Sequence, residues 1–293
     1  MREMSYSDSN IQKSSTQNRI VDAHVHVWTP DFESYPLAEG VKEEDLWRPS
    51  FTPNQHYIYS KSVGNVRFNL VQMIWYGTDH SYILDLISSD PETFAGTGII
   101  ELSDSNPSKR MLELYKRGCY AFREPTDSWD HPTMHALFST GGDNNLALSF
   151  NMGVDKLPGL EKMSAKYPDT PIIIDHVCHV GIGNPNYSEI EIEPLLRFSK
   201  HKNTKVKIGP FQGLGKRKAP YFDILPLIKR IVEAYGPERC MWESDSGGPI
   251  WMNDPETEYP AAIGLIRDHA DFLRQEDKDH ILFKTAEKIF FRK

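Results

Sequence analysis

Basic residues, cysteine and long apolar runs are all scarce in this chain of 293 residues. Lys and Arg total 33 against 41 Asp and Glu, which gives a formal net charge of -8. Nucleic acid and anionic membranes both need a basic footprint, so neither is expected as the main partner. No apolar run approaches the ~20 residues that span a bilayer, which excludes a transmembrane helix.

The three cysteines, Cys119, Cys178 and Cys240, are scattered and lack the spacing of a metal site. This pattern fits a reduced protein, and we expect a soluble, cytoplasmic one. Residues 1–18 are rich in Ser, Asn and Gln and contain no apolar stretch. They lack the features of a signal peptide or membrane anchor, and we expect a flexible, disordered tail.

After this tail, short apolar runs alternate with longer helical segments. The runs predicted as strands are Arg19–Trp28, Val66–Ile74, Phe94–Ile100, Cys119–Arg123, Leu146–Phe150, Pro171–His176, Lys205–Ile208 and Cys240–Asp245. The segments predicted as helices are His80–Ser89, Pro107–Arg117, His131–Ser139, Asp155–Tyr167, Ser188–Lys200, Tyr221–Tyr235, Tyr259–Arg274 and His280–Phe291.

Eight strands that alternate with helices predict an α/β fold, a (β/α)₈ TIM barrel in one domain over residues 19–293. Periodicity alone also fits an open, doubly wound sheet. In the fourth unit, Gly141–Asn145 is predicted as a loop. The proline-containing segment Thr29–Ser62 is predicted to form loops over the barrel mouth.

The first strand carries two histidines, His24 and His26, separated by one residue. Because alternate strand residues face opposite sides, both should point into the barrel, together with Asp22 and Trp28. Two imidazoles on one inward face suit two ligands of a single metal ion. The alternative is a pair of hydrogen-bonded interior histidines.

Two further candidates end later strands: His176 closes the sixth and Asp245 the eighth. Functional residues of barrels collect at the carboxyl ends of strands, although a capped loop or an Asx turn would also explain each residue alone. Three imidazoles and one carboxylate suit one divalent metal ion, Zn²⁺ first, which could be dispensable. We expect His176 to be catalytic and Asp245 to act as general base first and ligand second.

The chain resembles the amidohydrolase superfamily from about Ile20 to its end, specifically the amidohydrolase-related (amidohydrolase 2) branch. That branch contains sugar-lactone lactonases and the 2-pyrone-4,6-dicarboxylate lactonase. The matching segments are Asp22–Trp28, Ile174–His176, Val206–Ile208, Met241–Asp245 and Thr285–Phe290. The resemblance implies hydrolysis of a lactone or similar acyl bond, with or without metal, in which the eighth-strand Asp activates water.

The sequence departs from this family in two respects. It has no evident lysine for a carboxylated bridge between two metals, so we expect a single ion. Glu243 stands where relatives usually have a small residue. It could add a ligand or pair with Lys207, and the sequence favours neither.

Substrate contacts are predicted from residues near strand ends. Arg123 could bind a carboxylate in a bidentate pair, with a salt bridge to Glu124 as the alternative. His179 is interpreted as exposed or as a support for the site rather than a ligand. The other predicted contacts are Lys207, Gln72, Trp75, Tyr76 and Asn151.

These features predict a hydrolase that opens the lactone or related cyclic ester of a small hydroxy acid, such as a sugar-acid lactone. The partner would be a small carboxylate or sugar-acid derivative; no oligomeric state is indicated. One alternative is a metal-dependent, non-oxidative decarboxylase of an unsaturated or aromatic acid. Such a reaction tends to need a further His, and this chain offers no strand-end candidate beyond His176. A second is a barrel that binds a ligand without catalysis.

Overall fold

The computed structural model describes residues 19–184 and 186–292 and shows eight parallel strands, each hydrogen-bonded to the next along the chain. They are β1 (Arg19–Val25), β2 (Asn65–Val71), β3 (Phe94–Ile99), β4 (Cys119–Arg123), β5 (Ala147–Phe150), β6 (Ile172–Ile174), β7 (Thr204–Ile208) and β8 (Cys240–Trp242). The predicted tail at 1–18 lies outside the described residues.

A seam between the first and last strands closes this sheet. Val25 pairs in parallel with Ser246, just beyond β8, and the His26 N–H donates to the Ser246 carbonyl at 2.8 Å. The carboxylate of Asp22 accepts a bond from the Ser244 N–H at 2.9 Å. The fold is therefore the predicted (β/α)₈ barrel, not an open sheet.

Helices cover the outside of the barrel. They are α1 (Pro53–Ser60), α2 (Ser81–Ser89), α3 (Pro107–Lys116), α4 (Pro132–Asn144), α5 (Leu157–Lys166), α6 (Glu189–Phe198), α7 (Leu225–Tyr235), α8 (Pro255–His269), α9 (Gln275–Asp279) and α10 (Thr285–Phe290), the last preceded by a π-helical turn at His280–Lys284. All three isoleucines of β6 are buried, because a strand of a parallel barrel is covered on both faces. No helix within the described ranges has the length and apolar character needed to cross a bilayer.

The predicted loop at Gly141–Asn145 is wrong, because α4 continues to Asn144. A Cβ at Gly141 would lie 2.8 Å from the Leu146 carbonyl, so glycine lets the chain return closely beside the helix. The helix is capped by Asn145, whose φ of 54° is left-handed. Glycine here serves packing and does not break the helix.

The segment after β1 passes over the barrel mouth as predicted, but it also contains α1. Few apolar residues mark this helix, whose buried members are His56 and Ser60. The Nε2 atom of His56 lies 3.0 Å from the carbonyl of His26 and anchors the helix to the site. The strand β1 ends at Val25 instead of Trp28, whose backbone pairs with Phe51 in this segment.

Candidate active site

The four side chains predicted to share a metal ion lie together at the carboxyl ends of β1, β6 and β8. The Nε2 atoms of His24 and His26 are 3.2 Å apart. The Oδ1 atom of Asp245 lies 3.7 Å from the first and 3.6 Å from the second. The ring of His176 has its centroid 4.7 Å from that of His24. All four side chains are buried.

The spacings among Nε2 of His24, Nε2 of His26 and Oδ1 of Asp245 fit three ligands of one ion. Ligand atoms bound at ~2.0–2.1 Å stand about 3.3 Å from one another, close to the spacings observed. His24, His176 and Asp245 each offer a ligand atom within 4.8 Å of the others. The Oδ1 atom of Asp245 is buried and has no hydrogen-bond partner among the described residues. A bound cation would satisfy this otherwise costly acceptor.

The hydrogen bonds of two rings leave their second nitrogen atoms free for this centre. The Nδ1 atom of His26 lies 3.0 Å from the carbonyl of Val71. The Nδ1 atom of His176 lies 2.7 Å from Oε1 of Glu243. A histidine that donates one N–H to a carbonyl or carboxylate presents the other nitrogen as a ligand, the usual arrangement at metal sites.

Glu243 fixes both the ring and the backbone of His176. Its Oε1 atom also accepts the His176 backbone N–H at 3.0 Å. The backbone from His176 to His179 is left-handed throughout, with φ between 46° and 61°. This conformation is costly for the β-branched Val177, and such strain clusters at functional sites. The carboxylate therefore holds a strained turn that carries a candidate ligand.

The same contact sets the charges of the pair. Burial disfavours the imidazolium, but the carboxylates of Glu243 and Asp245 outweigh it and raise the pKa of His176 to about 9. Burial likewise opposes the ionised form of Glu243, yet His176 lowers its pKa to about 2. Burial and the neighbouring His24 hold the pKa of His26 well below its usual value, so this ring is neutral. Without a metal, His176 is a cation at neutral pH.

Lys207 lies below the candidate centre. It does not pair with Glu243, and it does not line the cavity where a substrate would bind. Its ammonium group, fully buried, is 2.9 Å from Oδ1 of Asp175 and 3.1 Å from Nδ1 of His24. The Oε2 atom of Glu243 lies 3.3 Å from the same nitrogen of His24. The ammonium group can only donate, so in the metal-free protein Nδ1 of His24 accepts from Lys207 and its Nε2 is hydrogen-bonded to Nε2 of His26. Lys207 therefore balances Asp175, and this placement does not support its predicted role as a substrate contact.

A cavity of about 370 Å³ opens above the four side chains, and His26, His176 and Asp245 form part of its lining. Two of the predicted substrate contacts, Arg123 and Asn151, also line it. The Arg123 guanidinium makes no hydrogen bond or ion pair with any described residue, so the alternative salt bridge with Glu124 is not formed. This cation is free to bind a ligand.

The other predicted substrate contacts, Gln72, Trp75 and Tyr76, support the loops around the cavity instead of lining it. The Gln72 amide donates to the carbonyls of Gly77 and Asp79 at 3.1 and 2.7 Å. Trp75 packs edge-to-face against two other tryptophans, and Tyr76 accepts the Thr29 N–H at 3.0 Å. All three side chains serve packing at the barrel mouth.

The structure also places in the cavity lining His179, which the sequence suggested only as an exposed or supporting residue, and two loop residues that the sequence did not suggest. His179 lines the cavity, and its Nε2 atom lies 2.5 Å from Oδ1 of Asn151. Trp47 and Ile74 reach the cavity from loops and are partly exposed there. The position of His179 three residues after His176 was the one signal in the sequence. Nothing in the local pattern marks the loop residues.

Glu124 is a buried carboxyl group for which neither oxygen has a hydrogen-bond partner among the described residues. Burial raises its pKa well above the ordinary value. The folded state therefore keeps a proton that the unfolded chain loses above about pH 4.3, and the resulting stability declines as pH rises through the folded-state pKa.

We expect Glu124→Gln to remove this pH dependence. At pH 8 the variant should be more stable than the wild type by about 1–3 kcal/mol, and at pH 4 equal or slightly less stable. Urea unfolding at both pH values measures the difference. Parallel pH profiles for the two proteins would contradict an unpaired, protonated Glu124.

Solved structures with the same fold cover nearly the whole chain. An amidohydrolase from Burkholderia multivorans with bound zinc is 17% identical over 94% of this chain and 99% of its own, with a TM-score of 0.73. A probable 2-pyrone-4,6-dicarboxylic acid hydrolase from Acinetobacter baumannii with citric acid bound is also 17% identical, over 93% and 99%, with a TM-score of 0.71. A 2,6-dihydroxybenzoate decarboxylase in complex with 2,6-dihydroxybenzoate is 10% identical over 94% and 99%, with a TM-score of 0.60.

At these identities the likeness shows the fold alone. A comparison with curated proteins found no significant match. The model of the amidohydrolase family, in the amidohydrolase 2 branch, matches residues 21–292, which include every strand after the first two residues of β1. This match confirms the resemblance carried by the strand-end motifs. The chain therefore belongs to the amidohydrolase family.

Proposed function

We propose that this protein hydrolyses a lactone or related cyclic ester of a small hydroxy acid. The observation that carries the proposal is the unpartnered Oδ1 atom of Asp245, buried against His24 and His26 at the floor of a cavity. A carboxylate so placed can accept a proton from water held in the cavity. Membership of the amidohydrolase family supports hydrolysis in general.

Arg123 would bind a substrate carboxylate, because its guanidinium is free and lines the cavity. Asp245 would take one proton from the attacking water. The water oxygen bonds to the acyl carbon, the ring C–O bond breaks, and the proton passes from Asp245 to the departing alkoxide. The product is an open-chain hydroxy acid. Burial raises the pKa of Asp245, which makes its carboxylate a better base for this work.

His24, His26, His176 and Asp245 would hold one divalent ion, and the donor set suits zinc. Such an ion supplies a polarised carbonyl and a more acidic water when it is bound. In the metal-free protein, the cationic His176 would instead donate its Nε2–H to the substrate carbonyl, while Glu243 stabilises the charge. The bound zinc of the Burkholderia multivorans relative favours the first route.

A cytoplasmic location is part of the proposal. The three cysteines are free and buried, which suits a reducing compartment.

The test is a panel of lactones scored by acid release, with the metal content of the purified protein measured first. We expect turnover of at least one lactone, loss of activity on chelation, and recovery with zinc. Zinc should also raise the thermal midpoint, because a ligand that binds only the native state stabilises it. Acid release that is indifferent to chelation would support the metal-free route. The absence of acid release from any lactone would overturn the proposal.

Decarboxylation of an unsaturated or aromatic acid is the second candidate. One observation favours it: His179 lines the cavity, with its ring stacked 6.3 Å from that of His176, and so offers the further histidine that such a reaction tends to need. Carbon dioxide release from aromatic acids, without acid release from lactones, would select this candidate.

A further inference from the structure

The loops after β1 and β2 give the cavity one apolar wall. It is formed by Trp47, Met73 and Ile74. Trp47 is 42% exposed and Ile74 is 57% exposed. Both sit beside a ligand cavity, where exposed apolar surface commonly serves binding.

The loops after β6 and β8 add a second apolar wall, made by Ile182, Pro249 and Ile250. Most of the lining beyond the candidate catalytic floor is therefore apolar. A ligand that fills the cavity must place much of its surface against these hydrocarbon groups.

The polar capacity of the remaining lining is small. Arg123 is the single Lys or Arg among the described residues that line the cavity. The Oδ1 atom of Asn151 is already engaged by Nε2 of His179 at 2.5 Å. Away from the floor, four polar groups are left to bind ligand atoms. They are the Arg123 guanidinium, the Asn151 NH₂ group, Nδ1 of His179 and the indole N–H of Trp47.

The small number of free polar groups in the lining limits how many polar groups a bound substrate can carry. A sugar-acid lactone would bury several hydroxyl groups against hydrocarbon, and unpaired polar groups are costly there. Away from the floor, where His176 lies, a dicarboxylate would bring two charges to one arginine. An apolar group, in contrast, gains from the transfer out of water into these walls.

We infer that the substrate carries one carboxylate, bound by Arg123, on an apolar alkyl or aryl body that packs against Trp47 and Ile74. This inference rests on the proposed lactone hydrolysis and narrows it away from the sugar-acid lactones expected from sequence. Arg123 and Trp47 are then the residues that determine specificity.

The experiment compares four lactones: paraconate (a five-membered lactone with one carboxylate), phenylparaconate, galactono-γ-lactone and 2-pyrone-4,6-dicarboxylate. We expect kcat/KM for phenylparaconate to exceed each of the others by about tenfold or more, because its phenyl group is the part that the apolar walls bury. The four intact lactones are titrated in parallel against Asp245→Asn, in which turnover is expected to be lost, so that binding is ranked without ring opening.

Two variants test which residues cause the preference for phenylparaconate. Trp47→Ala should lower kcat/KM for phenylparaconate about tenfold, mainly through KM, and leave paraconate within about twofold. Arg123→Gln should raise KM for both acids and leave the methyl ester of phenylparaconate unchanged. Phe272→Ala, at an exposed aromatic residue outside the cavity, is the control and should alter none of these values.

The proposed lactone hydrolysis and the inferred substrate class can be contradicted independently. If no lactone is opened but phenylparaconate binds most tightly, the lactonase function is wrong and the cavity assignment stands. If galactono-γ-lactone or the dicarboxylate is preferred in turnover or in binding, the inference is overturned. Equal loss of both paraconates in Trp47→Ala would likewise reject a specificity role for this tryptophan.

Discussion

Replacement of Asp245 by Asn is expected to lower kcat for lactone hydrolysis by about 10³-fold or more while the fold is kept. The change removes the general base, whose usual contribution is about 10²–10⁴-fold, and also a charged ligand. Asparagine has the same shape, and it removes a carboxylate that burial disfavours. The measurement is acid release at saturating substrate, together with circular dichroism and metal content.

A matched change at Asp143 provides the control. This exposed aspartate lies near the carboxyl end of α4, at the barrel face opposite the site, because the helices run antiparallel to the strands. Asp143→Asn should retain wild-type kcat and metal content. A rate for Asp245→Asn within tenfold of the wild type would show that another group activates water, and the mechanism proposed above would be wrong.

Most of the fold was predictable because its signals are local. Alternating apolar runs and helical segments indicate the elements, and their number indicates the barrel. The bounds of β4 agree with the prediction to the residue. The loop assigned at Gly141–Asn145 failed because the helix continues where a close approach to Leu146 tolerates only glycine. The two residues are only five apart, but the contact forms at the capped end of the helix, where glycine and asparagine resemble a loop in the sequence.

The convergence of the candidate site was predictable for a similar reason. His24, His26, His176 and Asp245 all stand at strand ends, and the barrel brings those ends to one face. The directions of loop side chains are not fixed in this way. Trp75 was expected at the substrate, yet it is held between Trp28 and other aromatic residues of the mouth. Contacts between distant segments decide such positions.

Strand alternation also failed at one inward position. Asp22 was expected to face the interior with His24, but its second oxygen accepts the hydroxyl of Tyr259 on the outer helix α8 at 2.9 Å. The register of β1 against β2 shifts between Asp22 and Val25. A bulge of this kind redirects side chains and leaves no mark in the apolar pattern.

The face of Lys207 was predictable, but its partner was not. Alternation places it inside the barrel together with Glu243, and the pairing between them was a reasonable alternative. In the structure, Asp175 at the end of β6 takes the ammonium group, and Ser149 donates to the same carboxylate oxygen at 2.8 Å. The positions of Asp175 and Glu243 along the barrel axis determine which of them pairs with Lys207. The local sequence does not specify those positions.

Lys207→Met is expected to cost about 3–5 kcal/mol of unfolding free energy, the largest stability effect that we predict. The lysine is fully buried, and burial would raise the pKa of Asp175 were it not for the ammonium group, which holds it well below its usual value. Without the cation, Asp175 becomes an uncompensated buried charge beside His24 and Glu243. Urea unfolding followed by circular dichroism measures the loss.

The double variant Lys207→Met with Asp175→Asn separates lost charge balance from lost packing. Methionine keeps most of the lysine stem, and asparagine still accepts the Ser149 hydroxyl, so the neutral pair should recover most of the lost stability. If the double variant is as unstable as Lys207→Met, shape and not charge makes the lysine necessary. If Lys207→Met alone stays within about 1 kcal/mol of the wild type, the ammonium group does not balance Asp175, and the charge assignment beneath the candidate centre fails with it.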